Sequence, residues 1–134
     1  IPMLVNEKNS RAGREKIGTD MAVPDKFFTD MLTFYNKTLF GKGLPYVIFG
    51  HLGDNHLHIN LLPDSSQQKL AESLHDELAR KIISWDGTVS AEHGIGKKKK
   101  KYFYEMVGKE NIEDLKRIKN ALDPQARLGR GNIL

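Results

Sequence analysis

The sequence predicts an α+β domain in which helices pack on one face of an antiparallel sheet. Three observations support this fold class. Residues 56–61 alternate polar and apolar side chains, which is typical of a strand with one face in a core. Residues 44–52 are rich in aromatic and β-branched side chains and lie one short turn away, which favours an antiparallel hairpin. Two longer segments repeat apolar residues every three or four positions, as amphipathic helices do.

The first half of the chain follows the order strand, helix, strand, strand. A short extended segment over residues 19–24 ends at Pro24, and a helix begins at Asp25 and stops before Gly41. The hairpin strands cover residues 44–52 and 56–62, with turn-forming residues between them. The predicted inward face of the helix consists of apolar side chains: Phe27, Phe28, Met31, Leu32, Tyr35 and Leu39.

The second half continues with a helix, a short strand and two more helices. The longest helix follows Pro63, where Asp64, Ser65 or Ser66 can cap it. Its predicted inward face is Leu70, Leu74, Leu78, Ile82 and Trp85. Residues 87–96 predict a short strand that enters a glycine-flanked loop. Helices over residues 97–107 and 111–122 follow, and Gly108 separates them.

Length and composition restrict the function classes. The 134 residues suffice for one domain with a hydrophobic core and are too few for two ordinary ones. The absence of cysteine excludes disulfides, thiolate catalysis and cysteine-ligated metal sites. No run of about 18 apolar residues occurs and no signal-peptide pattern begins the chain. We therefore expect a cytoplasmic protein, and the opening Ile1-Pro2 indicates a fragment of a longer one.

The net charge of +4 is concentrated in five consecutive lysines, Lys97–Lys101. Such a run could bind nucleic acid or an anionic membrane. We favour a solvated helix start in which Tyr102, Phe103 and Met106 turn inward, because no basic stripe with interleaved aromatic residues continues the run. We therefore expect no nucleic-acid partner, although the positive field can attract small anions.

Three of the five histidines lie in one stretch of eight residues, 51–58, within the predicted hairpin. With a turn centred on Asp54 and Asn55, His51 lies directly across from His58, where two imidazoles can share a metal ion. Glu92 would complete a site of two histidines and a carboxylate, and the adjacent His93 would exchange protons near neutral pH. The alternative is that these histidines are ordinary surface residues of a hairpin.

Two neighbours of this candidate site have simpler interpretations. Asp54 is expected to hydrogen-bond its own backbone in the turn rather than bind metal. His56 is expected to be a surface residue or a group that supports the ligands from behind.

Three blocks of sequence carry a resemblance to a known family. They are "GHLGDNHLHINL", then "GTVSAEHGIGKKK" about thirty residues on, and finally "LDP" with a terminal "GNIL". In order and spacing they resemble the C-terminal domain of FAD-linked oxidases of the vanillyl-alcohol-oxidase type. Within that family the blocks resemble those of the 2-hydroxyacid dehydrogenases: the glycolate oxidase large subunit, D-lactate dehydrogenase (cytochrome) and D-2-hydroxyglutarate dehydrogenase. The resemblance runs along essentially the whole chain.

The resemblance implies a role for each candidate residue. His51, His58 and Glu92 would hold a divalent metal, usually zinc in this family. Asn60 would bind substrate, and His93 would be both a substrate-binding and a catalytic residue. The chain departs from the family pattern where a Gly-Asn pair is usual, because Asn55 and His56 stand there, and its tail departs too.

The resemblance also implies the setting of the domain. Residues 1–134 would form the C-terminal part of a ferredoxin-like substrate (cap) domain, without the FAD-binding domain, so that the chain alone would be inactive. The intact enzyme would oxidise a small 2-hydroxy acid, of the D-lactate or glycolate type, using FAD. It would pass electrons to a quinone, a cytochrome or an electron-transfer flavoprotein.

Further expectations concern the assembly of the protein, its location and an alternative function. A homodimer is one expected assembly, and peripheral attachment to the inner membrane is the alternative to a purely cytoplasmic location. The residues that would contact FAD are unknown. The alternative function is a non-catalytic module that binds metal or anions through the hairpin and Lys97–Lys101.

Overall fold

A computed structural model describes residues 15–134. The chain divides into two compact units, and the boundary falls between Ala91 and Glu92. The expectation that the first residues indicate a fragment concerns a segment outside the described residues. No helix within residues 15–134 is both long and apolar enough to cross a membrane.

The first unit is built around a four-stranded sheet in which one strand pairs with all three others. Its strands are β1 (Ile17–Gly18), β2 (Met21–Ala22), β3 (Tyr46–His51) and β4 (His56–Leu61). β3 lies antiparallel along one edge of β4, and β1 and β2 lie antiparallel along the other. Since Ile17 pairs with Leu61 and Met21 pairs with Leu57, β1 and β2 keep one continuous register against β4. The antiparallel sheet is confirmed.

Two helices of this unit bury their apolar stripes against the sheet. A 3-10 turn over Asp25–Phe27 leads into α1 (Phe28–Leu39), and α2 covers Gln68–Ile83. Ile59 and Leu61, on the core face of β4, are fully buried. The helical part of the core is formed by side chains at three- and four-residue spacing: Met31, Tyr35, Leu39, Ala71, Leu74, Leu78, Ala79 and Ile82. The α+β class is thereby confirmed, and the ferredoxin-like assignment stays a prediction.

Details of α2 differ from the expected pattern. Leu70 is 37% exposed, so its placement on the inward face was wrong. Ala71 occupies the buried position of that turn instead and continues the stripe of Leu74 and Leu78. None of the predicted capping residues Asp64, Ser65 and Ser66 occupies the N-cap, which is Gln67 and makes no side-chain capping hydrogen bond. Asp64 instead closes the turn before α2, because its carboxylate accepts the backbone N–H groups of Ser66 and Gln67.

The predicted strand over residues 87–96 is reduced to a single bridge between Thr88 and Ala22. The two residues exchange backbone hydrogen bonds of 2.8 and 3.1 Å. The next partner along that edge would be Pro24, which has no N–H to donate, so the ladder cannot extend in that direction.

The second unit contains one helical element, α3 (Lys100–Leu122). Gly108 interrupts it with φ 77° and ψ 162°, which confirms the predicted break between two helices. The first of them begins at Lys100 rather than Lys97. Tyr102 is buried as predicted, and the ammonium groups of Lys100 and Lys101 lie over tyrosine rings.

Asp123 fastens the C-terminal tail to the end of α3. Its carboxylate accepts the backbone N–H groups of Arg127 and Leu128, each at 2.9 Å, and an ammonium hydrogen bond from Lys119. These hydrogen bonds, that from Lys119 foremost, lower the pKa of Asp123 from 3.8 to about 2. The ionised carboxylate therefore fixes the start of the tail at Arg127 and Leu128, and the Tyr104 hydroxyl holds its end by donating to the backbone oxygen of Ile133.

We expect the tail anchor to be lost in acid. Because the folded pKa of Asp123 is depressed, its stabilisation is present above pH 3.8 and disappears as the pH falls towards about 2. Asp123→Asn should release the tail already at neutral pH, measured as faster amide exchange at Leu128. The matched control is Asp114→Asn, which removes an exposed ion pair with Arg117. Equal exchange at Leu128 in wild type and Asp123→Asn at pH 7 would contradict the anchor.

Candidate functional site

The face of the sheet opposite the helices carries the candidate site. Along β4, Leu57, Ile59 and Leu61 point to the core, so that His56, His58 and Asn60 lie on the other side. The predicted separation of the two faces is correct. The polar side is also buried, since His56 is 2%, His58 8% and Asn60 4% exposed. The interpretation of His56 and His58 as surface residues is therefore wrong.

The register of the hairpin differs from the expected one. His51 pairs directly with His56, and Phe49 pairs with His58. The connection is not a two-residue turn centred on Asp54 and Asn55, because Leu52–Asp54 form a 3-10 turn and Asn55 closes it in the left-handed conformation. The shift is two residues, which keeps His51 on the same face as both other histidines. The predicted pairing was thus wrong, but the predicted face was right.

The three histidines gather closely on this face. The ring centroids of His56 and His58 are 4.3 Å apart, and the ring of His51 lies 5.7 and 6.5 Å from these two. One ring nitrogen from each histidine lies within 4.8 Å of the others. Two nitrogens bound to one ion at about 2.0–2.1 Å lie at most about 4.2 Å apart, so small shifts of these side chains would bring the donors onto one ion. Imidazole nitrogens suit zinc and similar divalent ions, so this donor set fits such an ion.

Two of the histidines are held by hydrogen bonds on one side of the ring. His56 Nε2 lies 2.9 Å from Asp20 Oδ1, and His58 Nδ1 lies 3.1 Å from the backbone oxygen of Thr19. An ionised carboxylate and a carbonyl can only accept, so these contacts place the ring protons on His56 Nε2 and His58 Nδ1. A metal would then bind through His56 Nδ1 and His58 Nε2. Outer hydrogen bonds of this kind orient the histidines of metal sites.

Asp20 is the member of the site that the sequence pattern did not reveal. It is 1% exposed and lies between β1 and β2, in register with His58. Its other carboxylate oxygen accepts the Ser90 hydroxyl at 3.3 Å, and its backbone oxygen accepts the N–H of Ala91. Once residues 17–22 are known to pair with β4, strand alternation alone places this carboxylate on the histidine face.

Asn60, the predicted substrate-binding residue, lies on the same strand two positions beyond His58. Its amide nitrogen is buried and has no hydrogen-bond partner among the described residues. A buried amide N–H without a partner costs free energy, about 1–3 kcal/mol in mutational data. The amide is thus a donor suited to an oxygen atom of a ligand. Gly18 leaves room beside it, because a Cβ there would lie 3.1 Å from Asn60 Oδ1.

Glu92 and His93 are the first two residues of the second unit, and both side chains are exposed. The chain reaches Glu92 directly after Ser90 and Ala91, which Asp20 binds. The roles of Glu92 and His93 stay predictions.

Comparisons with known proteins identify the family of the chain. The sequence profile described as "FAD linked oxidases, C-terminal domain" matches residues 4–133. The D-lactate dehydrogenases [cytochrome] of Kluyveromyces lactis and Arabidopsis thaliana are each 32% identical, over 86% and 91% of this chain. The D-2-hydroxyglutarate dehydrogenase of Xanthomonas citri is 41% identical over 65% of it.

This chain covers only 20%, 22% and 20% of the length of those three relatives. The family match, in contrast, runs over nearly all of its own residues. The chain therefore belongs to the family of FAD linked oxidase C-terminal domains.

Proposed function

We propose that this chain is the substrate- and metal-binding domain of an FAD-dependent dehydrogenase that oxidises a small 2-hydroxy acid, of the D-lactate or glycolate type. The observation that carries the proposal is the cluster of the exposed His51 with the buried His56 and His58, beside a buried amide donor on Asn60. The relatives named as D-lactate dehydrogenases and the 30% identical glycolate oxidase subunit of Bacillus subtilis support the substrate class.

In this proposal His51, His58 and Glu92 hold one divalent metal ion, for which zinc is our choice. When bound, the metal supplies Lewis acidity to the carboxylate and hydroxyl oxygens of the acid. Support for Glu92 comes from the chain before it, since Ser90 and Ala91 are tied to Asp20. The charge of a carboxylate also balances a dication better than neutral imidazoles alone.

The remaining residues position the substrate and move its proton. Asn60 donates its buried amide N–H to a substrate oxygen and thereby fixes the orientation of C2. His93 accepts the proton of the C2 hydroxyl as hydride leaves that carbon. FAD, held mainly by a separate flavin-binding domain, supplies the hydride acceptor when bound. We propose a quinone, a cytochrome or an electron-transfer flavoprotein as the next electron acceptor, and no turnover by this domain alone.

Titration with zinc tests the metal-binding part. We expect the purified chain to bind one Zn²⁺, measured by calorimetry or by competition with a chromophoric chelator. His51→Ala combined with His58→Ala should abolish binding, because two proposed ligands are removed. His75→Ala, on α2 and outside the cluster, is the control and should bind as the wild type does. No binding by wild type, or unchanged binding by the double variant, would count against the proposal.

A complementation assay tests the dehydrogenase part. The chain is mixed with the flavin-binding half of a relative, and oxidation of D-lactate and glycolate is followed with an artificial electron acceptor. Restored turnover supports the dehydrogenase. Bound metal without turnover favours the alternative, a non-catalytic metal- or anion-binding module.

A further inference from the structure

We infer that His56 is a third histidine ligand of the metal, so that the centre is built from three imidazoles and a carboxylate. The inference rests on the proposed metal-binding function and deepens it. His56 stands where the family pattern has asparagine, and it is one of the most buried polar side chains among residues 15–134, at 2% exposure.

His56 lies as close to the two proposed histidine ligands as they lie to each other. Its ring centroid lies 4.3 Å from that of His58 and 5.7 Å from that of His51, whereas the two proposed ligands themselves are 6.5 Å apart. His56 is therefore nearer to each of the other two histidines than they are to one another. A metal ion that bound His51 and His58 would have this imidazole beside it.

The hydrogen bond to Asp20 gives His56 the orientation that a ligand needs. It engages Nε2 at 2.9 Å and assigns the ring proton to that nitrogen, so that Nδ1 carries the lone pair. A carboxylate behind a histidine fixes the tautomer and raises the basicity of the metal-binding nitrogen. Asp20 is itself fixed by Ser90 and by the backbone of Ala91, which makes the arrangement rigid.

A third imidazole changes the chemistry of the centre. Three nitrogen donors and one carboxylate favour zinc and the later divalent transition metals over magnesium or calcium, which prefer oxygen donors. A tetrahedral ion would be saturated by four protein ligands. Substrate oxygens would therefore bind by raising the coordination number to five or six.

The number of imidazoles on bound Zn²⁺ tests the inference directly. X-ray absorption of the zinc-loaded chain should show three imidazoles in wild type and two in His56→Asn. We also expect His56→Asn to raise the Kd for Zn²⁺ at least about tenfold, the lower end of what outer-shell losses cost. His75→Asn, the same substitution on α2, is the control and should change neither quantity.

The outcomes separate this inference from the proposed function. A wild-type chain that binds zinc through only two imidazoles overturns the third ligand but not the metal site. A higher Kd with an unchanged imidazole count in His56→Asn also overturns it, because His56 would then only position the ligands. A chain that binds no zinc overturns both. If His56→Asn does not fold, the count in wild type alone decides.

Discussion

Gly50→Ala is expected to unfold the hairpin that carries the histidines. A Cβ on Gly50 would lie 2.1 Å from the backbone oxygen of His56 and 2.8 Å from the Cα of Leu57. Both are backbone atoms of β4, so no side-chain rotation can relieve the clash. Overpacking in a core costs about 1–3 kcal/mol and occasionally more. Since backbone must move here, we expect a loss of about 3 kcal/mol or more in the free energy of unfolding.

The same hairpin offers a matched control. A Cβ on Gly53 would meet no atom within 4 Å, so Gly53→Ala should change stability by less than about 0.5 kcal/mol, as neutral surface substitutions do. Urea unfolding followed by circular dichroism measures both variants, and zinc titration shows whether the cluster survives. Similar stabilities of the two variants would mean that β3 and β4 are less closely paired than the structure shows.

The faces of the elements were predictable from sequence because burial repeats with a fixed period. Leu57, Ile59 and Leu61 alternate with polar residues, and this alternation separated the core from the histidine face. Leu74 and Leu78 show the helical period in the same way. The helical period does not fix a position to within one residue, and the predicted Leu70 is 37% exposed while its neighbour Ala71 is buried.

The register was not predictable because it depends on turn geometry rather than on period. Asp54 and Asn55 are compatible with a two-residue turn, and they are equally compatible with the observed 3-10 turn closed by a left-handed Asn55. The pairing of residues 17–22 with β4 is a long-range contact that no local pattern encodes. The position of Asp20 beside His56, 2.9 Å from its Nε2, was therefore not predictable from the sequence.

Asp20→Ala is the second substitution with a large expected effect. It removes the acceptor that holds His56 Nε2 and the Ser90 hydroxyl, and it does so at a position that is 1% exposed. Leaving a buried donor unsatisfied costs about 1–3 kcal/mol, and hydrogen bonds to a charged group such as this carboxylate lie in the upper part of that range. We expect a loss of about 3 kcal/mol in unfolding free energy. Asp30→Ala, an exposed carboxylate of α1, should cost less than about 1 kcal/mol.

A double-mutant cycle with His56→Asn assigns that loss to the contact itself. Contacting residues typically couple by 0.5–3 kcal/mol, so Asp20→Ala should cost clearly less when His56 is already replaced. Zinc adds a second readout, because a ligand present at about 100 times its Kd stabilises the folded state by about 2.7 kcal/mol. If Asp20 orients a metal ligand, Asp20→Ala lowers this zinc-induced gain as well as the stability of the apo chain. An additive cycle with an undiminished gain would show that the carboxylate neither supports His56 nor prepares it for metal.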